Sequence, residues 1–447
     1  LTGQVVTAVV PQLWLSLPPD PHLDLFYRTD FPKAAAIDDS LWSESEDEGG
    51  LIQVEPVKIK LKPGERPVRI KQYPLSPEAE QGIKPIIERL LKKGILEPTQ
   101  SPYNTPILPV KKPDNGTYRL VQDLRAINKL TVTITPVVPN PYTLLSSLSP
   151  KHQWFTVIDL ADAFFSVPLD PESQPIFAFT FENQQYTWTR LPQGFKNSPT
   201  IFSQALKKTL QEFPALPEGV TLLQYVDDLL IAAETEEECL KATIALLNFL
   251  AQKGFKVSKK KLQLCQPEVT YLGHEISGGQ RKLSPDRVAA ILQLPKPKTV
   301  KELQSFLGLV GYCRTWIPDY TELAKPLREL LRHEGSPPKD KLNWTEEAEK
   351  QFQELKKALT TAPALGLPDY KKPFHLHVNE KEGIALGVLL QKHGGHRRPV
   401  AYLSKKLDPV AAGWPSCLRA VAAVAIAIQE ARHLVMGHKM VVYTPHA

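Results

Sequence analysis

Three aspartates in strand-like surroundings are the residues of this chain that could do chemistry together. Asp227 and Asp228 stand side by side between two apolar runs in the segment LLQYVDDLLIAA, and Asp159 ends a third apolar run, WFTVI. Apolar runs of this length that flank a polar pair are typical of two buried strands joined by a tight hairpin. Carboxylates at neighbouring strand ends would form an oxygen cage for Mg²⁺, which supports two-metal phosphoryl transfer. An Asp-Asp pair is more often a solvated turn, and the third carboxylate is what favours the metal site.

The segments before these aspartates carry both strand and helix patterns. Residues 52–61 alternate between apolar and polar side chains and predict a strand. Residues 76–96 predict a helix, because Ser76 provides an N-cap, a proline follows it, and Gly94 can close the last turn.

Three further stretches have recognisable patterns. Residues 106–124 predict a β-hairpin with its turn at the Asp-Asn-Gly sequence 114–116. Residues 234–255 predict an amphipathic helix with an acidic start and a basic end. Residues 276–363 predict a helical domain, in which Thr299–Glu302 forms a capping box.

Length and composition limit the class of protein. A chain of 447 residues is too long for a single core and predicts about three domains. No apolar stretch approaches the roughly 18 residues that span a bilayer, and no signal segment opens the chain, so we expect an intracellular protein. The four cysteines have no C-x-x-C spacing, which argues against a zinc site or a disulfide framework and fits a reducing compartment.

The net charge of +6 is unevenly distributed. Residues 1–55 hold two basic and ten acidic side chains, so the remainder carries 52 Lys and Arg against 38 Asp and Glu, a balance of +14. Such an excess of positive charge is typical of a protein that binds a phosphate backbone, although many other soluble proteins are as basic.

Several motifs in fixed order give the chain a family resemblance. YVDD at 225–228, DLADAFF at 159–165 and LPQGFKNSPT at 191–200 together resemble the retroviral reverse transcriptases. The similarity is closest to the gammaretroviral, murine leukaemia virus-like type and extends from about Ile52 to the C-terminus. Ala161 departs from this pattern, because relatives usually carry lysine there, and we expect only a modest effect.

The resemblance implies an α+β fold, a right-hand polymerase followed by a connection domain related to ribonuclease H. The implied parts are a partly irregular N-terminal extension at 1–50, fingers at 51–133 and 170–196, a palm at 134–169 and 197–275, a thumb at 276–363, and an RNase H-like connection domain at 364–447.

The resemblance also implies site residues and ligands. It makes Asp159, Asp227 and Asp228 the catalytic ligands of two Mg²⁺ ions, for which Mn²⁺ could substitute. Residues implied at the incoming deoxynucleotide are Lys112, Arg119, Arg125, Phe164, Gln193 and Tyr225. Residues implied at the template–primer are Val226, Lys259, Lys260, Tyr271, Leu272 and Gly273.

The implied function is RNA-directed DNA polymerisation by a monomer. Its partners would be an RNA template, a DNA primer, their RNA–DNA hybrid and dNTPs, in the cytoplasm of an infected cell or in the virion core. The chain resembles the family without its ribonuclease H domain, and Asn379 stands where a nuclease would need an acid, so we expect no cleavage of the template. Two alternatives stay open: a polymerase-shaped subunit without activity, and a polymerase that makes RNA.

Overall fold

The structure is a computed structural model that describes residues 37–43, 49–113, 116–139, 141–331 and 337–445. Strands and helices are numbered in chain order. The strands are β1 (Trp42–Ser43), β2 (Leu96–Pro98), β3 (Ile107–Lys111), β4 (Tyr118–Gln122), β5 (Trp154–Asp159), β6 (Phe179–Phe181), β7 (Gln184–Trp188), β8 (Thr221–Tyr225), β9 (Asp228–Ala233), β10 (Val257–Ser258), β11 (Gln263–Gln266), β12 (Val269–Tyr271), β13 (His274–Ser277), β14 (Gln280–Leu283), β15 (Leu365–Gly366), β16 (Phe374–Lys381), β17 (Ile384–His393), β18 (His396–Lys406) and β19 (Met440–Tyr443).

The helices follow the same numbering. They are α1 (Pro77–Lys92), α2 (Arg125–Leu130), α3 (Pro141–Leu145), α4 (Ser198–Leu210), α5 (Glu236–Gln252), α6 (Pro285–Leu292), α7 (Val300–Tyr312), α8 (Tyr320–Glu329), α9 (Glu346–Thr360), α10 (Pro409–Ala412) and α11 (Ser416–Val435). Among the helices of the described ranges, none is both long and apolar enough to cross a membrane.

The chain divides into two compact units. The first contains the described residues up to Val138 together with Thr156–Ile231 and Glu237–Cys265. The second contains Pro139–Phe155, Ala232–Glu236 and the residues from Gln266 onward. The finer division into fingers, palm, thumb and connection domain stays a prediction.

A four-stranded sheet in the order β11-β5-β9-β8 carries the central part of the chain. Its inner strand β5 is joined to α5 and β11 by a buried hydrogen-bond network around Thr156. The Thr156 hydroxyl accepts from the Thr243 hydroxyl of α5 at 2.8 Å and from the Cys265 amide of β11 at 3.0 Å. Because all three residues are buried, satisfying these groups fixes the strand and helix against each other.

Two smaller sheets of the first unit are joined by the side chain of Gln122. The hairpin β3-β4 pairs Ile107 with Gln122, and the sheet β2-β7-β6 is antiparallel. Gln122 is buried and donates from Nε2 to the Thr105 hydroxyl at 2.8 Å, while its Oε1 accepts from the Trp188 indole at 2.7 Å. These bonds join the hairpin to the three-stranded sheet.

The second unit contains two four-stranded sheets, each accompanied by helices. The sheet β12-β13-β14-β15 accompanies a core that includes Phe306, Trp316, Tyr320 and Phe352 from the helical segments. The other sheet has the order β18-β17-β16-β19, and the alanine-rich face of α11 packs on it. Small side chains on that face permit a close approach of helix to sheet.

Local sequence signals predicted several elements correctly. Helix α1 begins after Ser76, whose hydroxyl accepts from the Ala79 amide at 3.2 Å, and it ends before Gly94 at a φ of +71°. The predicted hairpin at 106–124 and the helix at 234–255 are present as β3-β4 and α5, although residues 114 and 115 of the hairpin turn lie outside the described residues.

The capping box at Thr299 forms in a modified way. The Thr299 hydroxyl accepts from the Glu302 amide at 3.3 Å, as predicted. The Glu302 carboxylate, however, accepts from the Lys298 amide at 2.7 Å.

Two predictions of secondary structure were wrong. Residues 52–61 form no strand; Val57 and Leu61 make single bridges to two different segments, so no continuous ladder can grow. The predicted helical domain at 276–363 begins with strand residues up to Leu283, because β14 pairs with β13. The partly irregular N-terminal extension at 1–50 stays a prediction, because residues 1–36 and 44–48 lie outside the described residues. Within it Leu41 and Trp42 are buried, and Trp42 belongs to β1, which pairs in parallel with β10.

His274 lies in a buried basic and aromatic environment that predicts a pH effect on stability. Burial lowers the pKa of His274 to about 3, and the charges of Arg281 and Arg287 add to this effect. Its ring lies 4.9 Å from the Trp316 ring and 5.4 Å from the Tyr312 ring, measured between centroids.

We expect the His274→Phe variant to lose less stability in acid than the parent. Because the folded state holds His274 neutral, its contribution is full above pH 6.5 and is lost as the pH falls toward 3. At pH 4.5 the loss is of the order of 2–3 kcal/mol. Urea unfolding at pH 7.5 and 4.5 measures the difference, with the exposed His396→Phe as control. An equal acid loss in His274→Phe and the parent would contradict the assignment.

Candidate active site

The pairing of β5 with β9 brings the three predicted aspartates to one edge of the sheet. At one end of this pair the Gln153 amide donates to the Ala233 carbonyl at 2.9 Å, and at the other the Leu160 amide donates to the Asp227 carbonyl at 3.4 Å. The strands are therefore antiparallel, and the end of β5 meets the start of β9. Asp159 ends β5, and Asp228 begins β9.

The hairpin between β8 and β9 adopts a strained turn. Val226 has a φ of +53°, a left-handed conformation that a β-branched residue rarely adopts. The Gln224 side-chain amide donates to the Val226 carbonyl and to the Ser203 carbonyl, each at 3.1 Å. Gln224 therefore anchors the turn to α4, and strain of this kind is commonly found at functional sites.

The carboxylates lie close enough to disturb one another. The Asp228 carboxyl group is hydrogen-bonded to that of Asp159, and burial together with the charges of Asp227 and Asp159 raises the pKa of Asp228 to about 7. Burial, with the Asp159 charge beside it, also raises the pKa of Asp227. Two like charges that water cannot fully solvate need a cation or a proton nearby.

A lysine supplies positive charge to this cluster. The Lys261 ammonium lies 3.2 Å from Asp159 Oδ2. Within the described residues, no group of three or more His, Cys, Asp or Glu side chains is arranged to hold a metal ion. The donor chemistry nevertheless fits Mg²⁺, since the cluster offers carboxylate oxygens and already binds one cationic group.

Two of the three aspartates, Asp159 and Asp227, open onto a cavity of about 580 Å³. Phe164 and Gln193, both predicted at the nucleotide, line it together with Asp159 and Asp227. The remaining lining residues are Ser43, Leu160, Ala161, Asp162, Ala163, Ser258, Lys260 and Lys261. A larger cavity of about 830 Å³, lined by Arg69, Lys71 and Tyr73 among others, contains none of the three carboxylates, so we assign the chemistry to the smaller one.

The four other predicted nucleotide residues lie outside the lining of that cavity. Lys112 and Arg119 belong to the β3-β4 hairpin, where Arg119 is exposed. Arg125 begins α2, and its guanidinium forms a two-pronged contact with Asp123 at 2.8 and 2.9 Å. Tyr225 is half-buried at the end of β8.

The predicted template–primer lysines have different environments. Lys260 lines the cavity, whereas the Lys259 ammonium lies 5.3 Å from the centre of the Trp42 ring and is shielded from solvent. The role predicted for Lys259 as a phosphate contact therefore does not fit its position, because it holds the segment around Trp42 instead. Tyr271, Leu272 and Gly273 lie in the second unit, at the β12-β13 turn.

The sequence did not identify Ser43 as a cavity residue. It reaches the cavity because β1 pairs with β10, and a two-residue strand leaves no periodic signal. Lys261 belongs to the basic run 259–261, but only the fold shows that its partner is Asp159.

Comparison with known proteins decides the family. A protein-family model described as "Reverse transcriptase (RNA-dependent DNA polymerase)" matches residues 110–276. A second family model, described as "RNase H-like domain found in reverse transcriptase", matches residues 344–442. A solved foamy viral protease-reverse transcriptase in complex with double-stranded DNA is 31% identical, with a TM-score of 0.82 over 97% of this chain and 77% of that one. The chain belongs to the retroviral reverse transcriptases. The predicted right-hand α+β fold with an RNase H-like domain is thereby confirmed.

The curated relatives are viral Pol and Gag-Pol polyproteins. The Pol polyprotein of Feline endogenous virus ECE1 is 52% identical over 94% of this chain, and the Gag-Pol polyprotein of Koala retrovirus is 53% identical over 91%. The chain spans 39% and 24% of their lengths, respectively. The prediction that the RNase H domain is missing is not supported, because an RNase H-like domain matches at 344–442.

We expect Asp228→Asn to stabilise the metal-free protein. The substitution removes a half-buried charge that Asp227 and Asp159 disfavour, and after allowance for solvent screening the gain is about 1 kcal/mol, or about 2–4 °C in Tm. Thermal unfolding in EDTA at pH 8 measures it. The control is Glu218→Gln, which removes the same charge from an exposed loop. A Tm at or below that of the parent would contradict the described electrostatics.

Proposed function

We propose that this chain is an RNA-directed DNA polymerase that extends a primer with dNTPs on an RNA or a DNA template. The observation that carries the proposal is the convergence of Asp159, Asp227 and Asp228 beside a cavity that Phe164 and Gln193 line. The family membership and the basic balance of residues 56–447 support a nucleic-acid substrate. In the proposed reaction the primer 3′-hydroxyl attacks the α-phosphate of a paired deoxynucleotide, and pyrophosphate leaves.

The aspartates would hold two Mg²⁺ ions, for which Mn²⁺ could substitute. When bound, such ions lower the pKa of the attacking hydroxyl and neutralise the leaving pyrophosphate. Asp159 and Asp227 would do most of the binding, and Asp228 would act more peripherally. This division is supported by the cavity lining, which includes Asp159 and Asp227, and by the hydrogen bond that joins Asp228 to Asp159.

The remaining predicted residues would hold the substrates. Phe164, Gln193, Tyr225 and Val226 would contact the nucleotide and the newest base pair. Lys112, Arg119 and Arg125 would neutralise the triphosphate. Releasing Arg125 from Asp123 requires little free energy, because the guanidinium is largely exposed and water screens the charges of an exposed ion pair.

The template–primer would be held mainly through its phosphates and sugars, and therefore without sequence preference. Lys260 would contribute at the cavity, and the turn Tyr271–Gly273 would support the primer 3′ end, as the family resemblance implies. We further propose that the protein acts as a monomer, in the cytoplasm of an infected cell or in the virion core.

The RNase H-like domain of this chain would be structural. Asn379 stands on β16 where the resemblance expects an acidic metal ligand, and its side-chain oxygen accepts from the Glu380 amide at 2.9 Å. Cleavage of RNA by the ribonuclease H chemistry needs several acidic ligands. We therefore propose that this chain leaves the RNA strand of a hybrid intact.

Two other functions fit the fold less well. A subunit without activity would not need three carboxylates whose closeness destabilises the metal-free site. A polymerase that makes RNA would need room for a 2′-hydroxyl, and the bulky Phe164 side chain lines the cavity.

We expect the parent chain to extend a labelled DNA primer on an RNA template in the presence of Mg²⁺ and dNTPs. Asp227→Asn should lower the rate by at least about a thousandfold, because it removes a metal ligand at the reacting phosphate, and Asp228→Asn should lower it less. The RNA template, labelled at its other end, should stay full-length.

The matched control is Asp170→Asn, a half-buried aspartate outside the cavity lining. Binding of the hybrid, measured by fluorescence anisotropy, should be retained by all variants. A parent that binds the hybrid and does not extend the primer would favour the inactive subunit, and shortened RNA would refute the structural role of the RNase H-like domain.

We expect Phe164→Val to admit ribonucleotides. Its ring packs edge-to-face on Phe202 at 6.4 Å, which restrains the side chain in the lining of the cavity. Discrimination, measured as the ratio of kcat/KM for dCTP over CTP, should fall by at least about tenfold, because one small group more or less in a pocket changes transition-state binding by about 1–3 kcal/mol. Unchanged discrimination with dNTP addition intact would contradict this role.

A further inference from the structure

The turn between β12 and β13 has a backbone conformation that its sequence does not favour. Leu272 has a φ of +53° and Gly273 a φ of +77°, and Tyr271 pairs with His274 on either side. Two positive φ values in a two-residue loop are typical of a type I′ turn, for which Asn-Gly is the preferred sequence. Leucine in this left-handed position is strained, so contacts outside the turn must hold it.

A tyrosine at the end of α7 supplies such a contact. The Tyr312 hydroxyl donates to the Leu272 carbonyl at 2.5 Å. Tyr271 and His274 are buried, with 2% and 0% of their surface exposed, whereas Leu272 and Gly273 are half-exposed. The bond therefore reaches the open tip of a hairpin whose base is already fixed by packing.

An arginine from α6 holds the tyrosine in place. The Arg287 guanidinium lies 4.1 Å from the centre of the Tyr312 ring, a cation–π contact. The same guanidinium also lies beside Gly273, where an added Cβ would come within 2.3 Å of Arg287 Nη2. The guanidinium thus contacts both the ring and the turn, and the positive φ of position 273 favours glycine.

We propose that Tyr312, supported by Arg287, is a positioning residue that holds the Leu272–Gly273 turn in the conformation needed to align the primer 3′ end. The inference rests on the proposed polymerase function and on the role of this turn in primer support. Strain stored at a half-exposed turn and restrained by one hydroxyl is the arrangement expected where a backbone must present fixed groups to a ligand.

We expect Tyr312→Phe to slow the chemical step without weakening substrate binding. The variant keeps the ring and its contact with Arg287 and loses only the hydrogen bond. We expect kcat for single-nucleotide addition to fall by about fivefold, in line with the loss of one hydrogen bond, with the Kd for template–primer within about twofold of the parent. Hydrogen exchange in a peptide that covers residues 269–277 should become faster.

The matched control is Tyr370→Phe. The Tyr370 hydroxyl donates to the Leu434 carbonyl at 2.7 Å, so the control removes the same kind of bond in the RNase H-like domain. We expect its kcat and the exchange of residues 269–277 to match the parent.

A rescue variant tests whether Tyr312 acts through the conformation of the Leu272–Gly273 turn or only through the general stability of the fold. Leu272→Asn creates the preferred Asn-Gly turn, which needs less external restraint. The kcat of the double variant Leu272→Asn/Tyr312→Phe should therefore be less than about twofold below the kcat of Leu272→Asn. This comparison is independent of the effect that Leu272→Asn has on the parent. Equal effects of Tyr312→Phe in both backgrounds, or a kcat no lower than that of Tyr370→Phe, would overturn the inference. A parent that cannot extend primers would instead refute the proposed function.

Discussion

The repulsion among Asp159, Asp227 and Asp228 is the constraint on which the architecture of the candidate site depends. Burial and mutual charge raise the pKa values of Asp227 and Asp228, so the metal-free fold holds these groups together at a cost in free energy. The chain meets this cost through continuous β5-β9 pairing, the buried Thr156 network and the Lys261 ion pair. A site that is destabilised until a cation binds is suited to metal-dependent chemistry.

The same principle of restrained strain recurs at two turns. Val226 at the catalytic hairpin and Leu272 at the β12-β13 hairpin both have positive φ values, and each has its carbonyl held by a side-chain donor, Gln224 and Tyr312 respectively. Neither donor carries out chemistry. Each fixes a backbone that would otherwise relax, which is how a rigid framework can keep reacting groups aligned.

The RNase H-like domain illustrates why fold and activity must be argued separately. The family match and the sheet order β18-β17-β16-β19 with α11 establish the RNase H-like domain that the sequence predicted at 364–447, whereas the prediction that a ribonuclease H domain is missing is not supported. The proposal that it lacks nuclease activity rests instead on a single kind of observation, the residue types at the positions that would bind metal, such as Asn379.

The sequence by itself determined the elements whose signals are local. Ser76 and Gly94 predicted both ends of α1, and the apolar runs around Asp227 predicted β8 and β9, because caps, turns and periodicity act within a few residues. Only the tertiary structure decided that residues 52–61 form no strand, that Lys259 packs on Trp42, and that Lys261 pairs with Asp159. These outcomes depend on partners up to about 200 residues away, which no local pattern encodes.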